Sequence, residues 1–138
     1  MNEKLKRPAG ILVLQWNDEP VVAYRNLVVD VGLRKLASSA LVLTQFGAGS
    51  GTTQPDYTDV ELEDEIGKIT GQSGGYPTLV GDILQNAFLV DTDELNGTWH
   101  EVGLFYEDDT LFARVLVTER EKSSADQVAV WYYVDLVN

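Results

Sequence analysis

His100 is the one histidine of this chain, so a serine–histidine–acid triad or an imidazole metal site would have to be built on it. Its neighbours Trp99, Glu101 and Val102 read instead as an ordinary strand, and a two-histidine metal site within one chain is excluded. There are no cysteines, which removes disulfides, thiolate metal sites and thiol nucleophiles together and favours folding in a reducing cytoplasm. Acidic side chains gather twice, at Asp56, Asp59, Glu61, Glu63, Asp64 and Glu65, and at Asp91, Asp93 and Glu94. Such oxygen donors suit calcium, but neither cluster has the Asp-x-Asp-x-Asp-Gly pattern with its distal glutamate, so a solvated acidic face is expected. Carboxylate pairs for glycoside hydrolysis occur in any acidic protein and single out nothing.

The run Gly47-Ala48-Gly49-Ser50-Gly51 invites comparison with nucleotide-binding loops. It lacks the glycine spacing of a dinucleotide fingerprint and the Gly-Lys-Ser/Thr of a phosphate loop. Nor is Ser50 in a nucleophile elbow, because Ala48 and Thr52 occupy the positions that need glycine. The expected role is that of a structural or assembly loop. No catalytic residue, metal ligand or cofactor is assigned.

Those residues must be carried by a single domain. At 138 residues the chain can bury roughly 68–70% of its extended surface, enough for a real core. Twenty-two acidic and 10 basic side chains give a net charge of −12, which opposes nucleic acid and anionic membrane surfaces. Lys4, Lys6 and Arg7 form the one compact basic stretch and read as a solvated tail. The apolar run Ile11–Leu14 is too short for a signal peptide, and no stretch approaches the ~18 apolar residues of a spanning helix.

The expected fold is mainly β (α+β), an antiparallel β-sandwich with one short amphipathic helix near 31–41. Residues 10–16 and 21–24 flank the turn Asn17-Asp18-Glu19-Pro20 and predict an N-terminal hairpin within residues 1–25. Asp30 is the expected N-cap, and Leu33, Leu36, Ala37, Ala40 and Leu41 form one apolar stripe. From Gly47 a glycine-rich loop is expected, set by backbone geometry that glycine allows cheaply. Residues 66–70 predict a short strand and 76–90 one bent strand with Gly81 as its irregularity. Asn96-Gly97 is a turn signal, followed by strands near 99–106, 110–118 and 127–137.

That last strand is apolar on both faces. Val128, Val130, Tyr132, Val134 and Leu136 share one, while Ala129, Trp131, Tyr133 and Val137 share the other with Asp135. A strand wet on one side alternates with polar residues, so either the helix or another subunit covers the second face. Cover by the helix is the first expectation.

Three segments in order carry a family likeness: NLVVDVGLRKLASSAL (26–41), GAGSGTTQPDYTD (47–59) with VELEDEIGK behind it, and EVGLFYEDDTLFARV (101–115). Their succession, closed by the connector EREKSSADQV (119–128) and a final strand, resembles a family of tailed-bacteriophage and prophage tail, fibre-base and baseplate proteins. The likeness spans about residues 26–137; residues 1–25 lie outside it. It implies a β-rich virion building block, not an enzyme, assembled in the host cytoplasm and residing in the tail. Its partners would be other phage structural proteins and further copies of itself, without cofactor, nucleic acid or membrane. The implied contact surfaces are the loop residues Gly47, Gly49, Ser50, Gly51, Thr52, Thr53, Pro55 and Tyr57, with Trp131 and Tyr133 on the last strand. The alternatives are a head decoration or neck protein, and a carbohydrate-binding host-recognition module that would stack glycans on Trp16, Trp99 or Trp131.

Overall fold

A computed structural model of the chain describes residues 9–38, 43–71, 78–80 and 83–135. Its strands are β1 (Ala9–Trp16), β2 (Val22–Arg25), β3 (Leu27–Val28), β4 (Leu43–Gly49), β5 (Glu65–Thr70), β6 (Thr78–Val80), β7 (Ile83–Val90), β8 (Gly97–Tyr106), β9 (Leu111–Lys122) and β10 (Val128–Asp135), with helix α1 (Asp30–Ser38) between β3 and β4. They form two five-stranded antiparallel sheets, in the orders β2-β1-β10-β7-β6 and β3-β9-β8-β4-β5. We call these the β1 sheet and the β8 sheet. Their inner faces meet in one apolar core, so the architecture is a β-sandwich.

The period-2 alternation of the strands decides which side chains enter that core. From the β1 sheet come Leu12, Leu14, Phe88, Val130 and Tyr132; from the β8 sheet come Phe46, Val102, Leu104, Ala113 and Val115. Three aromatic rings tie the sheets: Trp99 lies 5.0 Å from Trp16 and 5.7 Å from Phe46, centroid to centroid. Offset and tilted aromatic pairs of this kind add roughly 0.5–1.5 kcal/mol beyond the area they bury. At the rim, Arg120 lies over the Trp16 ring at 4.2 Å while donating to both carboxylate oxygens of Glu19, at 2.8 and 2.7 Å.

β1 pairs with β10 over its full length, from Ala9↔Asp135 to Trp16↔Val128, and with β2 on its other side. The N-terminal hairpin is therefore integral to the sandwich. The chain crosses between sheets at Asn26: Arg25 pairs with Ile11 in the β1 sheet, and Leu27 pairs with Arg114 in the β8 sheet.

Four expectations change. The segment 76–90 is not one bent strand: β6 and β7 are two strands that pair antiparallel, Thr78↔Gln85 to Val80↔Ile83, and so satisfy each other's backbone groups. Gly81 itself lies outside the described residues, as do Ala40, Leu41, Leu136 and Val137. The glycine-rich loop begins later than expected, since Gly47, Ala48 and Gly49 belong to β4 and pair with both β5 and β8. Asp30 is the first helical residue and Val29 the cap, whose carbonyl accepts from Leu33 N at 3.0 Å. Finally, α1 does not cover the second face of β10. It packs on β9 in the other sheet, where Gly32 sits against the Leu111–Phe112 backbone and its carbonyl accepts from the Tyr106 hydroxyl at 3.0 Å.

Candidate functional site

The outer faces of the two sheets are built on different principles. On the β8 sheet the outer face is roofed by the chain itself. The ladder is irregular between Trp99 and Glu101, and there Trp99 and Val102 both enter the core while Glu101 faces out, beneath the segment 50–64. Glu101 is fully buried and accepts four hydrogen bonds. Its Oε2 takes the amides of Gly51 (2.9 Å) and Asp64 (2.7 Å). Its Oε1 takes the amide of Glu63 and the Nε of Arg114, each at 2.8 Å. Burial alone would raise the Glu101 pKa, but the Arg114 bond and the three amides outweigh it and hold the carboxyl below its ordinary range.

Arg114, also buried, is the cation at the centre of this roof. Besides Glu101 it donates through Nη1 to Asp59 at 3.2 Å, and its Nη2 lies 3.9 Å from Glu63. Glu63 in turn binds the loop's other end, accepting the amides of Thr52 (2.8 Å) and Thr53 (2.9 Å) and the Thr53 hydroxyl. Bonding by Thr53 and Thr52 holds the Glu63 pKa below its ordinary range. Asp64 accepts from the Ser50 hydroxyl at 2.7 Å. The acidic cluster 56–65 is thus partly turned inward and organises the loop, in place of the wholly solvated face expected from composition.

The glycines make room for this roof. A Cβ on Gly49 would stand 2.5 Å from the Asp64 carbonyl oxygen and 2.7 Å from Glu101; one on Gly51 would stand 2.5 Å from Glu101. Among the described residues the glycine at positive φ is Gly97, the first residue of β8, so Gly47, Gly49 and Gly51 serve by absence of bulk and not by unusual dihedrals. Leu62 closes the roof from above, packed with Val29, Phe105 and Leu111 in a small second core. Two shallow notches flank the loop, each of about 320–330 Å³, and Arg114 contributes to the wall of both.

The β1 sheet has no such roof among the described residues. Across its outer face Ala23, Val13, Trp131 and Ala87 stand side by side, and the next row is Arg25, Ile11, Tyr133 and Gln85. Gln15, Ala129 and Leu89 form a third row, and Asp135 stands beside Ile83. Trp131, Tyr133 and Val13 are half-buried by their neighbours, and Ile11 (47%), Leu89 (46%) and Ile83 (41%) remain widely open to solvent. The face is thus largely apolar, interrupted by Gln15, Arg25, Gln85 and Asp135.

The residues singled out by sequence separate accordingly. Gly47, Gly49 and Gly51 are buried against the chain's own atoms; Ser50, Thr52 and Thr53 hold the roof; Pro55 is half-buried at a notch; Tyr57 is exposed. Trp131 and Tyr133 lie on the open face, far in the fold from the loop's sheet. His100 is half-buried, with Nδ1 3.9 Å from Glu119, and no group of His, Cys, Asp or Glu among the described residues is arranged to hold a metal ion. Sequence reading missed Glu101, Arg114 and a third buried charge, Lys122, whose Nζ donates to Asp91 O and Asn96 Oδ1, each at 2.8 Å. The available signal was a lone charge inside an apolar strand, as in LFARVLV.

Compared with protein-family models, curated proteins and solved structures, the chain has no match.

Proposed function

We propose that this chain is a structural subunit of a bacteriophage virion, a tail, baseplate or tail-fibre-adaptor component that acts by being bound by other protein subunits. The observation that carries the reading is the open apolar face of the β1 sheet on an otherwise acidic, internally braced sandwich. Its constituents, Trp131 and Tyr133 above all, are residue types enriched where proteins meet. The succession of motifs described above supplies the phage context, and a head decoration or neck position would use the same face. Glycan stacking is the less supported alternative: Trp16 and Trp99 are buried in the core, leaving Trp131 as the tryptophan with exposed area.

The test is genetic and structural together. In a phage encoding this chain, cryo-electron microscopy of the particle is expected to show it in the tail with the β1-sheet outer face against protein. A Trp131→Glu phage is expected to make particles that lack the chain. A wild-type particle in which the chain is missing, or a free protein that turns over a substrate, refutes the proposal.

A further inference from the structure

Among the described residues, the buried ammonium of Lys122 bonds to neutral oxygens. Its Nζ donates to the carbonyls of Asp91 (2.8 Å) and Thr92 (3.5 Å) and to the side-chain Oδ1 of Asn96 (2.8 Å). The carboxylates of Asp91, Asp93, Glu94 and Asp126 act on it through space. A buried cation is best met by a charged acceptor, because amide oxygens repay less of its lost hydration. Asn96, which supplies one of those oxygens, is exposed and stands directly before Gly97, where β8 begins. Glycine has no Cβ to shield its nitrogen, so an asparagine in front of it offers the side-chain amide most open to attack from the backbone.

We propose that Asn96 is a self-modifying site: it deamidates in the folded protein and becomes the carboxylate partner of Lys122. The Gly97 nitrogen attacks Asn96 Cγ, the new N–Cγ bond closes a succinimide, and Nδ2 leaves as ammonia with the Gly97 amide proton. Water then opens the ring. Cleavage of the new bond leaves aspartate; cleavage of the original peptide bond leaves isoaspartate, with one more methylene in the chain. Lys122 favours the first step, because its ammonium already donates to Oδ1, the atom on which negative charge develops as the nitrogen attacks. The product is favoured as well. An aspartate in place of Asn96 keeps the contact and turns a bond between ion and dipole into one between opposite ions, in a partly buried setting. Burial holds the Lys122 pKa below its ordinary range, and the new carboxylate offsets that.

Ageing the folded full chain at body temperature in mildly alkaline buffer, followed by peptide mass mapping, tests this. The expected result is the mass gain of an NH₂-to-OH exchange at Asn96, with Asn17, Asn26 and Asn86 unchanged and a matching acidic shift on isoelectric focusing. The folded chain is expected to convert no more slowly than the urea-unfolded chain. Asn96→Asp, made directly, is expected to melt roughly 3–5 °C above wild type, the shift one stronger charged bond gives in a chain of this size, and to lose that gain when combined with Lys122→Met. Lys122 should also titrate higher by NMR in Asn96→Asp than in wild type, a readout that does not depend on the double variant folding. A folded chain whose Asn96 stays intact, or converts more slowly than the unfolded one, overturns the assignment of the site. An Asn96→Asp chain no more stable than wild type, or with Lys122 titrating no higher, overturns the pairing.

Discussion

Replacing Glu101 with glutamine tests the account of the roof most directly. The change is nearly isosteric, but it removes a buried charge and turns one acceptor oxygen into an NH₂ group. That group then faces donors, whichever way the amide turns: Gly51 N and Asp64 N on one side, Glu63 N and Arg114 Nε on the other. Arg114 is left buried beside a neutral partner. Breaking a buried pair from one side typically costs about 3–5 kcal/mol, which is a large share of the roughly 7–20 kcal/mol expected for a domain of this length. With an unfolding entropy near ~0.29 kcal/mol/K for a chain of this size, the melting temperature should drop by roughly 10–17 °C. Adding Arg114→Met to Glu101→Gln should cost less than the sum of the single changes, because the stranded cation is removed. The sign of the pH effect is fixed: the folded Glu101 pKa lies below its unfolded value, so the stabilisation is complete above the ordinary range near ~4.3 and is lost as pH falls through the folded pKa. Wild type should therefore lose stability on acidification more steeply than Glu101→Gln. Scanning calorimetry and amide exchange at Gly51, Glu63 and Asp64 provide the readout. A melting temperature within about 3 °C of wild type, with those amides still protected, refutes the reasoning.

Further outcomes follow from the same contacts. Gly49→Ala forces a methyl onto the Asp64 carbonyl and the Glu101 carboxylate and should destabilise by about 1–3 kcal/mol, seen as a lower urea midpoint with unchanged m. Lys122→Met should cost about 1–3 kcal/mol and speed amide exchange in residues 91–96, since Asp91 O and Asn96 Oδ1 lose their donor in a partly buried setting. Trp99→Ala should cost about 3–5 kcal/mol by opening a cavity between Trp16 and Phe46, measured by chemical denaturation. The Asp108 carboxyl should titrate at about 2 by carbon-detected NMR, held there chiefly by its bond from Lys35 and then by Thr110, and Lys35→Ala should move it upward.

The sandwich was legible because strand alternation depends on the inner faces alone: Leu12 with Leu14, and Val128 through Val134, announce a core without knowledge of their partners. The N-terminal turn was legible for a similar local reason, whereas the Asn96-Gly97 signal fell late: the turn lies at 92–93, closed by Glu94 N on Asp91 O, and Gly97 already opens β8. What stayed hidden depends on contacts distant in sequence. β4 was read as loop beyond Phe46 because glycine is a poor strand former, whereas here Gly47 and Gly49 are required by the roof lying over them. The helix was assigned to the wrong sheet, since a short amphipathic stripe fits either one and Gly32 against Phe112 decides between them. Trp131 and Tyr133 could be placed on β10's second face from parity alone, but whether the chain covers that face itself was a question of topology.

The ladder between β1 and β10 joins residues 112 to 126 positions apart. During synthesis at ~5–20 residues per second, β1 would wait roughly 6–25 s for its central neighbour, with Leu12 and Leu14 lacking their final cover. Contacts of that span also slow refolding, because the loop must close before the pairing repays it. The nascent chain thus passes through a long interval in which neither sheet is complete, the β8 sheet awaiting β9 and β1 awaiting β10, a window in which chaperone engagement or premature self-association is decided.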